Sequence, residues 1–166
     1  MSRIDDLHLL LGDIERYRSV SSKMNGAIVQ LLDHDIPKLG TNTTTAMAAA
    51  GLIETAYTAV ETVLFRIAQC FGNNLSQERW HSDLLHRMAT PAPGLRPAVL
   101  SEQTRSMLDE LMRFRHFKRY YFSFEYDWNR LRYLFEVIAR TDEAMGTEIR
   151  AFEGFVHDLI NELDSP

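Results

Sequence analysis

Apolar residues recur at three- and four-residue intervals from Arg3 to the end of the chain, while the strict alternation of a half-buried strand is nearly absent. That pattern predicts an all-α protein. Leu7, Leu10, Leu11, Ile14, Tyr17, Met24, Ile28, Leu31 and Leu32 fall on one stripe, with Pro37 as a stop, so a first helix is expected over about 3–35. The stretch TTTAMAAAGLIETAYTAVETVLFRIAQCFGNN opens on threonines suited to capping, continues in good helix formers and runs out at Gly72. It predicts a second helix over about 44–71 with Leu52, Ala56, Val60, Val63, Leu64, Ile67 and Phe71 inward. Pro91, Pro93, Pro97 and Gly94 mark a connecting excursion, in which WHSDLLHRM can form a short helix. Ser101 is expected to cap a third helix that turns Met107, Leu108, Leu111 and Met112 inward and continues through RFRHFKRYY. Beyond a break at SFEY, Asp127 caps a fourth helix carrying Leu131, Leu134, Phe135 and Ile138. A last helix over about 142–163 buries Met145, Ile149, Phe152, Val156, Leu159 and Leu163. Helices in this order, with mostly short connections, predict an up-and-down bundle of four to five helices forming one domain over residues 1–166.

Composition narrows the function more than the fold. With 45% hydrophobic and 25% charged residues among 166, a core can form and wholesale disorder is excluded. The single cysteine, Cys70, can build neither an internal disulfide nor a thiolate zinc site, which fits a reducing compartment. No apolar run reaches the ~20 residues of a membrane span, and the first residues carry acids where a signal peptide carries a basic end. A cytoplasmic protein with no membrane partner is expected. The formal charge of -5 argues against a protein that coats nucleic acid over its whole surface.

Against that acidic background, RFRHFKR (113–119) gathers four of the 18 Lys and Arg beside His116. A solvated helix end accounts for such cations, because the helix dipole favours them there. A phosphate site accounts for them equally. Arg115 and Arg119 lie one turn apart on the face of Leu111, so at least one guanidinium is aimed at packed structure, where it needs a partner or a ligand. The aromatic residues around them, from Phe114 to Phe124, can stack on bases, although a run this apolar more often packs in a core. His81 and His86 are five apart, off the spacing that puts two imidazoles on one helical face, and no metal site is expected. Trp80, Leu84, Leu85 and Met88 read as a hydrophobic lid. Glu54 and Glu61 share a face of the second helix, either as solvated acids or as inward ion-pairing partners. Neither a glycine-rich phosphate loop nor a nucleophile elbow is present, and no cofactor is expected.

FRHFKRYYFSFEYDW does not stand alone. With the E-T-A-Y-x-x-V-E text from Glu54 to Glu61, the W-H-x-D-L-L-x-x-M block from Trp80 to Met88 and the R-P-x-V-L stretch from Arg96 to Leu100, it resembles the HepT-like branch of the HEPN superfamily. These are small all-α domains that include ribonuclease toxins of prokaryotic toxin–antitoxin systems. The resemblance implies metal-independent RNA cleavage, in which a base activates the 2′-hydroxyl and an arginine stabilises the pentacovalent phosphate. The family motif is an arginine followed after four to six residues by a histidine, often with a tyrosine two further on. Arg115 matches the arginine; Tyr120 stands at the histidine position and Phe122 at the tyrosine position. Tyrosine, with a reference pKa of ~10, is a poor base at neutral pH. Arg115, His116 and Tyr120 are therefore the catalytic candidates, with Arg113, Lys118 and Arg119 as RNA contacts. The resemblance also implies a homodimer whose basic segments line one cleft, and a nucleotidyltransferase-type antitoxin that modifies a tyrosine beside the motif, here Tyr120 or Tyr121 if any. Two other readings stay open: an inactive helical module that docks on a nucleotidyltransferase, and a purely structural dimerisation domain. On sequence grounds a ribonuclease needs Arg115 exposed in a cleft with a base nearby, whereas a docking module tolerates Arg115→Ala.

Overall fold

The computed structural model describes residues 2–72, 80–120 and 125–165, Tyr120 by its backbone alone. Helix α1 (Arg3–Val29) begins where Ser2 accepts from the Asp5 amide and the Asp5 carboxylate accepts from the Ser2 amide, a reciprocal cap that satisfies two orphan donors. Its buried residues Leu7, Leu10, Ile14, Tyr17 and Ile28 follow the predicted stripe. The predicted stop at Pro37 does not hold. The helix widens into a π-helical turn (Gln30–Asp35) and continues as α2 (Ile36–Leu39), ending at Gly40 with φ 79°. A π turn ahead of the proline removes the need for the amide that Pro37 lacks, so the backbone runs on for one more turn.

Helix α3 (Thr43–Cys70) is capped by Asn42, with Thr45 returning the bond, rather than by a threonine. Its buried face is wider than the predicted stripe, taking in Ala46, Ala49, Ala50, Ile53, Tyr57, Glu61 and Ala68, because α3 packs on several helices at once. Small alanines allow that approach. Helix α4 (Trp80–Ala89) lays Leu84, Leu85 and Met88 inward against α3 and α5, as the lid reading expects. The proline-rich connection is stapled by Arg96, whose guanidinium donates to the carbonyls of Arg87, Thr90 and Pro97, while the Val99 and Leu100 amides donate to the Met88 carbonyl. Ser101 caps α5 (Glu102–Tyr120), and Glu148, distant in sequence, accepts from the Ser101 amide and the Thr104 hydroxyl.

The predicted fourth and last helices are one. Helix α6 (Trp128–Asp164), capped by Asp127, runs for 37 residues, roughly 55 Å. The boundary expected near 142 falls inside it, with Thr141 and Asp142 accommodated in the continuous helix. The Thr141 hydroxyl donates back to the Val137 carbonyl, and Asp142 accepts from Ser21 and Asn25 of α1. Helices α1, α3, α5 and α6 pack as an all-α up-and-down bundle, with α3 touching α6 across the core. Among the described residues there is no strand, only one bridge between Ala92 and Arg96. Among the described residues no helix is long and apolar enough to cross a membrane.

Candidate functional site

Arg115 follows Leu111 on the inward face of α5 and is buried against α3. Its Nη1 donates to Glu61 Oε2 at 2.6 Å and its Nη2 to Glu61 Oε1 at 2.9 Å, a fork-to-carboxylate pair. Nη1 also lies 3.5 Å from the Thr58 hydroxyl, and the guanidinium carbon sits 4.6 Å from the centre of the Tyr57 ring, over its negative face. The Tyr57 hydroxyl donates to Glu61 Oε1 at 3.3 Å. Burial, with the Glu61 carboxylate beside it, pushes the Tyr57 phenol far above its ordinary range, so it remains a donor. Three residues of α3 thus cradle one guanidinium of α5.

A fourth group comes from α4. His81 Nδ1 lies 2.5 Å from Glu61 Oε1 and 3.0 Å from Arg115 Nη2. Its ring is held against Trp80, with centroids 3.7 Å apart and planes tilted by 32°, and Trp80 in turn meets the Phe65 edge. The sequence pattern, which presents His81 only as a metal ligand paired with His86, misses this role. Spacing carries no trace of the contact, because Glu61, His81 and Arg115 meet only when α4 packs on both α3 and α5.

The remaining sequence candidates lie around this cluster. His116 is exposed, about 100° around α5 from Arg115, and so on a different face. The Tyr120 side chain and Tyr121 lie outside the described residues. Arg113 is exposed and pairs with Asp109 at 2.7 Å, one turn back on its own helix. Lys118 Nζ and Arg119 Nε converge on Glu54, at 2.6 Å and 3.0 Å. Burial alone would raise the Glu54 carboxyl; Lys118 and Arg119 together overcome this and hold it below its ordinary value of 4.5. Since the folded-state value is the depressed one, the stability that this contact contributes is complete above the ordinary value and is lost as the pH falls through the folded-state value. Glu54 and Glu61 are therefore both counter-ions of the basic segment. Among the described residues, no cluster of three or more His, Cys, Asp or Glu has a metal-holding arrangement.

Arg115 does not stand exposed in a cleft, as the sequence reading requires of a ribonuclease: its side chain is 5% exposed, whereas that of His81 is 38% exposed. The solvent-facing member of the cluster is the imidazole.

No curated protein and no solved structure matches the chain. A model of the HepT-like protein family matches residues 48–156, which take in α4, α5 and most of α3 and α6, and hence Tyr57, Glu61, His81 and Arg115. With well over half of the chain covered by that match, the protein belongs to the HepT-like family.

Proposed function

We propose that this HEPN-type chain binds RNA at the C-terminal end of α5 and cleaves it without a metal ion, as the toxin member of a toxin–antitoxin pair. The observation that carries this reading is the Arg115 cluster: a fixed guanidinium with a carboxylate and an imidazole against it, at the end of a helix that also carries Arg113, Lys118 and Arg119. A phosphodiester needs positive charge to hold it, which Arg113, Lys118 and Arg119 offer, and a base to activate its 2′-hydroxyl, which the solvent-facing imidazole of the cluster offers. In a homodimer with facing α5 ends, two such segments would make a field that neither makes alone on a chain of net charge -5. The partner that quiets it would be a nucleotidyltransferase-type antitoxin, acting in a cytoplasmic setting.

A second reading has its own support. The burial of Arg115, with its fork filled by Glu61, suits a helical docking or dimerisation module in which the arginine holds α5 to α3.

Glu54 provides the test. It occupies Lys118 and Arg119, so RNA phosphates must displace it, and Glu54→Gln should tighten RNA binding by roughly two- to tenfold, the scale of two partly exposed ion pairs. Replacing Lys118 and Arg119 by alanine should flatten the dependence of log K on log salt by about one unit for each phosphate that is no longer neutralised. Fluorescence anisotropy with a labelled RNA across a salt series reads both. Unchanged affinity in Glu54→Gln, with an unchanged slope in the double replacement, would favour the docking module.

A further inference from the structure

We infer that His81, oriented by Glu61, is the general base of the site, in place of the histidine that the 115–120 spacing lacks; this rests on the ribonuclease reading above. Three observations converge on the imidazole. First, Glu61 Oε1 lies 2.5 Å from Nδ1. Two groups face this nitrogen: the carboxylate can only accept, and Arg115 Nη2, farther off at 3.0 Å, can only donate. A bare Nδ1 would set its lone pair against the nearer carboxylate, so the proton is assigned to Nδ1 and the lone pair to Nε2. Second, the ring is fixed on two sides, by the Trp80 face at 3.7 Å and by the carboxylate, so that Nε2 keeps one direction. Third, the side chain is 38% exposed although its partners Glu61 and Arg115 are buried, so the imidazole is the part of the network that a substrate can reach. A histidine serving only to satisfy a buried acid would be covered with it.

The charges of the cluster suit the step. At rest Glu61 and Arg115 cancel, and Tyr57 is a neutral donor to Glu61. His81 Nε2 takes the proton of the 2′-hydroxyl as that oxygen attacks phosphorus. The bond from phosphorus to the 5′-oxygen breaks, and the 5′-oxygen leaves with a proton returned from the imidazolium. The products are a 2′,3′-cyclic phosphate and a 5′-hydroxyl, with no co-reactant consumed. While the imidazolium exists the cluster carries one net positive charge, at the moment when the pentacovalent phosphate carries its additional negative charge. Glu61 then faces the imidazolium directly and stabilises it, as the carboxylate does in other carboxylate–imidazole dyads. Glu61 and Arg115 are thus positioning residues, acting through His81. Tyr120 is not needed as a base, and His116, on another face of α5, takes no part.

The test compares the natural chain with His81→Ala, His116→Ala and Tyr120→Phe on total RNA in the presence of EDTA. Helical circular dichroism shows that each variant folds, and anisotropy shows that it still binds RNA. His81→Ala should cleave about 10²–10⁴-fold more slowly, the usual worth of a general base, with RNA affinity little changed. It should also lose the acid limb of the pH–rate profile, which merely structural damage would not remove. Among the described residues the charged groups within hydrogen-bond distance of the ring are Glu61 from α3 and Arg115 from α5. The other two variants should stay within a few-fold of the natural rate. Independently of activity, nitrogen-detected NMR of the histidine rings should show His81 as the Nδ1–H tautomer. A fall in His116→Ala or Tyr120→Phe with His81→Ala unaffected would overturn His81 while leaving the ribonuclease reading intact. A natural chain that binds RNA and leaves it uncut would overturn both, as would an Nε2–H tautomer for the base assignment alone.

Discussion

Replacing Arg115 with alanine should destabilise the fold by about 3–5 kcal/mol, the cost of leaving one member of a buried ion pair without its partner. For a chain of this length that corresponds to a fall in Tm of roughly 6–20 °C. Glu61 would lose both donors of the guanidinium fork, and neither the Tyr57 hydroxyl at 3.3 Å nor the His81 ring can replace a bidentate cation. Arg115→Lys should fall between, since an ammonium offers a point charge where the fork made two parallel bonds. Removing both charges, with Arg115→Met and Glu61→Leu together, should recover most of the loss, because no buried charge is then left alone. Thermal melts of the four chains read all three effects. An Arg115→Ala melt within about 1 °C of the natural chain would mean that the pair does not hold α5 to α3. Loss of activity in Arg115→Ala does not by itself distinguish a ribonuclease from a docking module, because the substitution injures the bundle in both cases.

Glu143→Pro is expected to be almost as damaging, by about 3 kcal/mol or more. Glu143 is exposed and lies in the middle of α6, so its side chain contributes little that could confuse the result. If Asp142 began a separate helix, position 143 would be the first helical residue, where proline is welcome. In a continuous helix the same proline deletes an intrahelical hydrogen bond and clashes with the carbonyl one turn back. A melt unchanged by Glu143→Pro would restore the sequence-predicted break at 142.

Both substitutions touch places where sequence and structure can be compared. The core stripes of α1 and α6 are legible because burial on one side leaves a clear 3.6-residue pattern, as in Leu7, Leu10 and Ile14 or Ile149, Phe152 and Val156. The stripe of α3 reads too narrow, since a helix touched by α1, α4, α5 and α6 buries a wide arc, leaving a narrow exposed line through Thr55, Thr62, Arg66 and Gln69, and the periodicity blurs. The boundary near 142 misleads because the polar run Arg140, Thr141, Asp142 and Glu143 interrupts the apolar pattern, and the real partners of Thr141 and Asp142, Val137 within the helix and Ser21 and Asn25 on α1, leave no mark in the local text. The inward turn of Arg115 follows from its place on the face of Leu111, and Glu61 is one of two acids on a helix that could meet it. His81 is not recoverable in this way. Its spacing from Arg115 has no meaning until α4 is docked, and the neighbouring Trp80, Leu84 and Leu85 make the segment read as packing alone.

The central claim, that this HepT-like chain cuts RNA at an imidazole held by Glu61, is tested most directly by the chemistry of the ends it leaves. The natural chain, purified and chelated with EDTA, is incubated with total RNA, and the fragments are assayed for their termini. Transesterification by a general base predicts 2′,3′-cyclic phosphates and 5′-hydroxyls, formed without any divalent ion. Intact RNA in the presence of folded, RNA-binding protein, or 5′-phosphate ends that appear only when a divalent metal is supplied, would contradict it.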